Sequence, residues 1–327
     1  MRLSRRQFLR ASLATAAGAL SMPVWAEPKR KGLGALNLAF MCWRIGDILD
    51  FDAQVRWVKE AGFESIAFHA SPGSPGKWRG IDPAQTDSRE RRRLRDLLAP
   101  FHQREIHAPF SAELAPETPP AVLEQLETTF AFAGDVGADV VTVHAKPPLL
   151  DAPDTTVWNK ALDRLDRAAA TAGIRVGIEF MNGFEWLRAP QREHIGATLD
   201  IGHMYMNDGA GYKPYGGIRE QIRFLDDVLF HIHIHDYDGE HDHREIGTGR
   251  VDVDAVLLGL ADIGYRGMLC LELNPDWVTP DGLTRSAQFL RRRAKESFLT
   301  RGLQWVYKER ALPSIIRACC VVRRRVQ

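Results

Sequence analysis

The sequence predicts an α/β protein, a single-domain (β/α)8 (TIM) barrel, on three observations. Eight short apolar runs recur at roughly even spacing, amphipathic segments separate them, and seven of the eight runs end on a histidine or a carboxylate. Strands alternating with helices argue for a parallel sheet. Eight such units in about 270 residues suit a closed barrel. An open doubly wound sheet would carry a glycine-rich phosphate loop after an early strand. Here Gly247-Thr248-Gly249 follows the seventh run and opens no full fingerprint.

The runs, in order, are LNLAFMCW, SIAFHA with His69, REIHAPF with His107, VVTVHA with His144 and RVGIEF with Glu179. They continue with IGATLDIGH, carrying Asp200 and His203, LFHIHIHD, carrying His231, His233 and His235, and MLCLEL with Glu272. Between them, helices are expected near 50–61, 88–103, 119–136, 155–172, 217–228, 252–263 and 281–305. In the first, Phe51, Val55, Trp57, Val58 and Ala61 show the 3–4 spacing of a single buried face. Four segments end on glycine and restart an apolar run, at Gly62, Gly137, Gly173 and Gly264. A glycine just past a helix and before a strand is the expected αβ connection. The result is a weak internal repeat of about 35 residues, one β/α unit each.

An unpaired polar group costs roughly 2–7 kcal/mol to bury. Repeating that cost at the same end of successive strands implies that the groups converge. Residues two apart share a face of a strand, which places Thr142, Gly177, Thr198, His231 and Cys270 on the inward face beneath them. Most are small, as a packed layer under a site requires. Catalytic groups of such barrels lie at the C-terminal strand ends, where these groups fall.

Composition excludes some classes. The 327 residues are 45% hydrophobic and 26% charged, ordinary globular values, with a formal net charge of +1. Nothing in that total points to nucleic acid or a membrane surface. The cysteines Cys42, Cys270, Cys319 and Cys320 make no disulfide framework in a chain this long. Cys42 and Cys270 sit inside apolar runs and read as small buried hydrophobes.

Both ends are basic. Residues 1–26 carry Arg2, Arg5, Arg6 and Arg10 and no acid, and the rest of the chain has a net charge of −3. Ser4-Arg5-Arg6-Gln7-Phe8-Leu9-Arg10 is a twin-arginine motif. A modestly apolar stretch from Ala11 to Met22 follows, then Val24-Trp25-Ala26, a cleavage-like site before Glu27. Residues 1–26 therefore read as a twin-arginine signal peptide, 27–35 as a linker, 36–305 as the barrel and 306–327 as a basic tail. The signal implies a bacterial periplasmic or secreted protein that engages the twin-arginine export machinery already folded. From Arg310 onward the tail carries five arginines and no acid and reads as a solvated end.

Glu179, Asp200, His233 and Glu272 come from runs five to eight, which are consecutive strands of a closed barrel, so their ends can surround one ion. Three carboxylates and an imidazole suit a divalent ion such as Mn, Co, Mg or Zn. A second set, His107, His144, His203, His241 and His243, accompanies them as further metal or substrate ligands. Lys146, just past His144, and Trp43, at the end of the first run, are candidates for binding or packing on a substrate at the mouth. His69 lines the mouth or caps a turn. His102 and His194 lie away from the strand ends and read as surface residues.

The segments Ile178-Glu179, Thr198-Leu199-Asp200-Ile201-Gly202-His203, His231-Ile-His-Ile-His-Asp236, His243-Arg-Glu-Ile-Gly-Thr-Gly249 and Leu271-Glu272-Leu273 resemble the xylose isomerase-like barrel superfamily. That group includes sugar and sugar-phosphate isomerases and epimerases, and the AP endonucleases related to endonuclease IV. The resemblance covers about residues 36–300. It implies that Glu179, Asp200, His233 and Glu272 ligate a single metal, as in keto-sugar epimerases, and that the two glutamates move protons on opposite faces of the sugar. A divalent ion chelated by a carbonyl and its neighbouring hydroxyl acidifies the adjacent C–H. A carboxylate on each face can then remove and return a proton through a cis-enediolate. His107, His144, His203 and His243 match positions that bind further zinc ions in the endonucleases, whereas His241 falls where that family has an aspartate. Asp242 is adjacent.

The leading expectation is an exported, metal-dependent sugar isomerase or epimerase. Its substrate is expected to be a free or oxidised sugar, a keto-glycoside or a polyol derivative rather than a sugar phosphate, because sugar phosphates are mainly cytoplasmic. A lyase or hydrolase on an oxidised sugar would use the same proton abstraction. A zinc-dependent AP endonuclease-like phosphodiesterase is opposed by export and by the net charge of −3, since duplex binders need a basic footprint; no nucleic acid partner is expected. A non-catalytic periplasmic sugar-binding barrel is opposed by the Glu179–Glu272 pair. Metal count, and whether the protein forms a homo-oligomer, stay open.

Overall fold

In the computed structural model of the chain, the described residues are 36–146, 155–188 and 191–296. The signal, the linker and the basic tail lie outside them. Eight strands run parallel: β1 (Leu38–Cys42), β2 (Ser65–His69), β3 (Arg104–His107), β4 (Val140–His144), β5 (Arg175–Glu179), β6 (Ile195–Asp200), β7 (Leu229–Ile234) and β8 (Leu269–Leu271). Each pairs with the next, and β8 pairs back on β1 through Leu38↔Leu269 and Phe40↔Leu271, closing the barrel. Every apolar run named above supplies one strand.

The helices on the outside are α1 (Phe51–Glu60), α2 (Ser88–Leu98), α3 (Pro120–Val136), α4 (Thr156–Ala172), α5 (Glu185–Arg188), α6 (Ile201–Gly209), α7 (Ile218–Leu225), α8 (Val253–Ile263) and α9, described over 280–296. Aspartates start four of them: Asp50, Asp87, Asp200 and Asp252 each accept from a backbone N–H three residues on. Gly137, Gly173 and Gly264 end α3, α4 and α8 in the left-handed conformation that the glycine pattern anticipates. No helix of the described residues is long and apolar enough to cross a membrane.

One helical expectation needs correction, two short helices were not expected, and the end of one more lies outside the described residues. The helix expected over 88–103 stops at Leu98, because Pro100 cannot continue it. The Arg104 side chain donates to the carbonyls of Leu98, the last helical residue, and of Phe101 in the turn that follows. The short helices α5 and α6 carry no periodic signal. In α6 the backbone leaves the helix at Met206, and Asn207 and Asp208 take positive φ. Of the helix expected over 281–305, residues beyond 296 lie outside the described part.

The main apolar core lies between barrel and helices, with Phe40, Phe68, Phe130, Phe132 and Trp158 among its largest members. A smaller cluster, Ala39, Met41, Ala67, Val140, Met268 and Cys270, forms separately. Beside it lies a polar layer. Thr142 Oγ1 donates to Glu105 Oε1 at 2.7 Å and lies 3.0 Å from Thr198 Oγ1. Gly177 makes this layer possible, since a Cβ there would lie 2.0 Å from Thr198 Oγ1 and 3.0 Å from the Thr198 nitrogen. Gly177→Ala is therefore expected to destabilise the fold by about 1–3 kcal/mol, as overpacking does. A urea denaturation midpoint checks it.

Candidate metal centre

The site is built from consecutive strand ends. Register sets Glu179 beside Thr198, Asp200 beside His233, and His144 beside Glu179. All four first-named candidate ligands are buried: Asp200 and His233 fully, Glu272 and Glu179 with 4% and 6% of their surface exposed. His233 Nδ1 lies 2.9 Å from Glu272 Oε2 and 3.3 Å from Glu179 Oε2. Donor atoms of Glu179, Asp200 and His233 lie within 4.8 Å of one another. Carboxylates held this close need compensating positive charge.

The surrounding hydrogen bonds aim these atoms. His233 Nε2 is 2.6 Å from Glu105 Oε1, and His231 Nε2 is 2.6 Å from Glu105 Oε2. Because Glu105 takes Nε2, the nitrogen that His233 presents to Glu179 and Glu272 is Nδ1. A carboxylate behind a histidine is the usual way of fixing the tautomer of a metal ligand. His107 Nδ1 donates to the Ala108 carbonyl at 2.8 Å and His243 Nδ1 to the Glu272 carbonyl at 2.7 Å. Each therefore keeps Nε2 free. His243 holds a positive φ of 50°, a strained conformation for a residue other than glycine. Its own N–H donates to His235 Nδ1 at 2.8 Å, which leaves His235 Nε2 to donate to Asp200 Oδ1 at 2.9 Å.

The histidines set the charge. Burial alone would raise the Glu179 carboxyl, but His107, His144 and His203 around it hold it well below the usual carboxylate range. Glu105 behaves alike: burial opposes ionisation, and His231 and His233 overcome it. Burial lowers His233, yet Glu105 and Glu272 raise it well above an ordinary imidazole. Asp242, bonded to His203, is lowered to about 2.

Whether a divalent ion fits can be judged from atoms the protein leaves without partners. Glu179 Oε2, His233 Nδ1 and His107 Nε2 are buried and make no well-aligned hydrogen bond among the described residues, though they face one another and Glu272 at 2.9–3.8 Å. An unpaired buried polar atom costs about 1–3 kcal/mol. Three that converge beside Asp200 and Glu272 form a donor set of oxygen and nitrogen that suits a borderline divalent ion. The residues fit.

The second histidine set divides. His107 and His144 group with Glu179, and His203 groups with His235 and His243, each with donor atoms within 4.8 Å. Asp200 accepts from the His203 backbone N–H at 2.9 Å, so one carboxylate caps α6 and directs that histidine. His241 and Lys146 stand apart. His241 is partly exposed and packs on Trp277, while the adjacent Asp242 approaches His203 Nε2 at 3.4 Å. Lys146 is largely exposed and pairs with Glu113 at 2.7 Å.

Sequence reasoning gave Glu105 no role, named His235 only as part of its run and Asp242 only as the neighbour of His241. Glu105 lies two residues before His107, and His235 two after His233, so the alternation that located the other inward residues points to both. Asp236 also gained no role from sequence. Fully buried, its Oδ1 accepts from Tyr237 and Val251, and its Oδ2 from Gly247 and Gly249, all at 2.9–3.1 Å. Four backbone donors on one carboxylate fold the loop that carries Asp242 and His243. Asp236→Asn puts an amide donor against two N–H groups and is expected to cost about 2–4 kcal/mol. Thermal unfolding measures that loss.

Residues 55–293 match the family described as xylose isomerase-like TIM barrel. The chain belongs to that family. It is 26% identical over 192 residues to the uncharacterized protein MJ1311 of Methanocaldococcus jannaschii, a match covering 51% of this chain and 63% of that protein. The chain spans less than two thirds of the length of the curated relatives it matches. Among solved structures, it resembles a D-tagatose 3-epimerase-like protein with a TM-score of 0.60 at 19% identity, over 81% of this chain and 99% of that one. It also resembles an L-ribulose 3-epimerase with a TM-score of 0.56 at 21% identity, over 85% and 98%. At these identities the likeness concerns the fold.

Proposed function

We propose that this protein is an exported, divalent-metal-dependent sugar isomerase or epimerase that transfers a proton at the carbon beside a carbonyl. The observation that carries the reading is the pair Glu179 and Glu272, two carboxylates that approach the same His233 nitrogen from different strands. Family membership and the epimerases among its structural neighbours support it, and the twin-arginine motif supports export.

Glu179, Asp200, His233 and Glu272 would hold the ion. When bound, it would polarise the substrate carbonyl and acidify the neighbouring C–H. The chain's own residues do the rest. One glutamate takes the proton from one face of the sugar, and the other returns a proton from the opposite face, giving the epimer; return to the neighbouring carbon gives the isomer. Neighbouring histidines keep both carboxyls deprotonated and able to act as bases. Glu105 keeps the His233 ring in its orientation.

Elemental analysis of the purified protein tests the reading. One Mn, Co, Mg or Zn per chain is expected, with loss of activity toward ketoses on chelation and recovery on adding the metal back. A second reading, a zinc phosphodiesterase, is favoured by the separate groups His107–His144–Glu179 and His203–His235–His243. Two or three Zn per chain, with cleavage of abasic-site DNA, would establish that reading instead.

A further inference from the structure

A cavity lies at the end of the barrel away from the metal centre. Arg175 begins β5, which Glu179 ends, and Leu229 begins β7, whose far part carries His233. The cavity has a volume of about 370 Å³, and Gln103, Arg175, Asp226, Phe230, Tyr265 and Arg266 are among the residues that line it. That is enough for a small molecule, since ligand pockets start at roughly 300 Å³. In barrels of this kind the chemistry belongs to the other end, so the reaction proposed above does not account for it.

Its walls are fixed. A Cβ at Gly196 would lie 2.7 Å from the Phe230 ring, so glycine there lets the ring lie across β6. The Arg175 guanidinium rests over that ring at 5.0 Å. A Cβ at Gly267 would collide with the Tyr265 hydroxyl, which donates to the Met268 carbonyl at 3.0 Å. Gln103 is held by a closed set of hydrogen bonds. Its Oε1 accepts from Asn37 Nδ2 at 2.7 Å, Asn37 Oδ1 accepts from Ser65 Oγ at 2.6 Å, and Ser65 Oγ accepts from the Gln103 N–H at 3.0 Å. The amide oxygen is thereby used, and Nε2 stays a donor.

The charges around the cavity are unspent. Among the described residues, Arg175, Arg266 and Asp226 make no ion pair and no side-chain hydrogen bond. Asp227 beside them is committed to Arg188 at 3.5 Å and Gln191 at 3.0 Å. Asp226 also holds a positive φ of 41°, a costly conformation for a residue with a side chain. An exposed arginine ordinarily extends into solvent. Arg175 is instead laid along an aromatic wall, where stacking limits its rotamers and leaves its N–H edge free.

We propose that this cavity binds a small organic anion, with its carboxylate or phosphate held by Arg175, Arg266 and Gln103 Nε2. The body of the ligand packs on Phe230, and a hydroxyl on it donates to Asp226. Guanidinium forks match the oxygens of either anion, and such charge-assisted bonds are the strong ones. The site is separate from the metal centre and stands whether or not the sugar reading holds.

The test uses D-glucose, D-glucuronate and D-glucose 6-phosphate, which share a skeleton and differ in carrying a hydroxyl, a carboxylate or a phosphate at the last carbon. Each is titrated calorimetrically into metal-loaded wild-type protein, Arg175→Gln, Arg175→Lys and Arg266→Gln. At least one anion is expected to bind wild type about tenfold or more tighter than D-glucose. Arg175→Gln and Arg266→Gln should each weaken that anion at least about tenfold at unchanged melting temperature and metal content. Arg175→Lys, which keeps the charge and loses the fork, should recover part. Arg266 makes no bond within the chain, so its variant keeps the test valid if Arg175→Gln fails to fold. Binding at the metal centre is common to all four proteins, so only the difference between them reports on this cavity. Loss for glucuronate alone assigns a carboxylate ligand, loss for the phosphate alone a phosphate ester, and loss for both recognition of the oxyanion itself. No preference for either anion in wild type, or equal affinity in wild type and both glutamine variants, overturns the inference.

Discussion

Glu179→Gln and Glu272→Gln are each expected to lower proton exchange at the carbon beside a ketose carbonyl by at least about 10³-fold, within the range general acid–base groups contribute. The isosteric amide keeps the shape and an oxygen donor but cannot accept the proton. Folding should survive. Glu179 and Glu272 repel one another across His233, and each raises the cost of ionising its neighbour. Neutralising either one relieves that repulsion in metal-free protein. Denaturant midpoints close to wild type, alongside the loss of deuterium wash-in, would separate a chemical role from a structural one. A fall in midpoint large enough to explain the lost activity would show that the glutamates serve the fold.

The other large effect is expected at Glu105, which touches neither substrate nor ion in this account. It accepts from His231, His233 and Thr142 in the barrel interior, all at 2.6–2.7 Å. Glu105→Ala strands two buried imidazoles, and removing one partner of a buried charged pair costs about 3–5 kcal/mol. It also frees the His233 ring to turn or change tautomer, and loss of such a supporting partner lowers metal affinity about 10–100-fold. Glu105→Gln keeps an acceptor for one of the two histidines and should fall between Glu105→Ala and wild type. Metal titration of the folded variants distinguishes the positioning role, because a purely structural defect would lower the melting temperature and leave affinity for the ion intact.

The barrel was legible because its signals are local and repeated. An apolar run of four to six residues, a glycine after a helix and a polar residue at a strand end recur in nearly every unit. The burial and convergence of the four candidate ligands were legible for the same reason: alternation along a strand decides which residues face inward, and Asp200, His233 and Glu272 obey it. Glu105 follows the same rule but sits one layer deeper, where a sequence reading expects small side chains to fill the barrel. Its role depends on His231 and His233 reaching it across the interior, a contact between strands far apart in sequence. Asp236 was hidden because its partners are backbone N–H groups of a later loop, which leave no trace in residue type. Position 241 shows the opposite problem. The histidine drew attention by its type, but the turn sends it out onto Trp277 and brings Asp242 toward His203. Lys146 was placed near the mouth correctly along the chain, but its ammonium is held outside by Glu113.

The most direct test of the central claim is mass spectrometric or NMR detection of deuterium entering a ketose from D2O in the presence of metal-loaded protein. Incorporation beside the carbonyl is expected, abolished by chelation, restored by a divalent ion and absent from Glu179→Gln. Protein that carries its ion and binds a ketose yet exchanges no C–H proton would contradict the assignment of Glu179 and Glu272 as the acid–base pair.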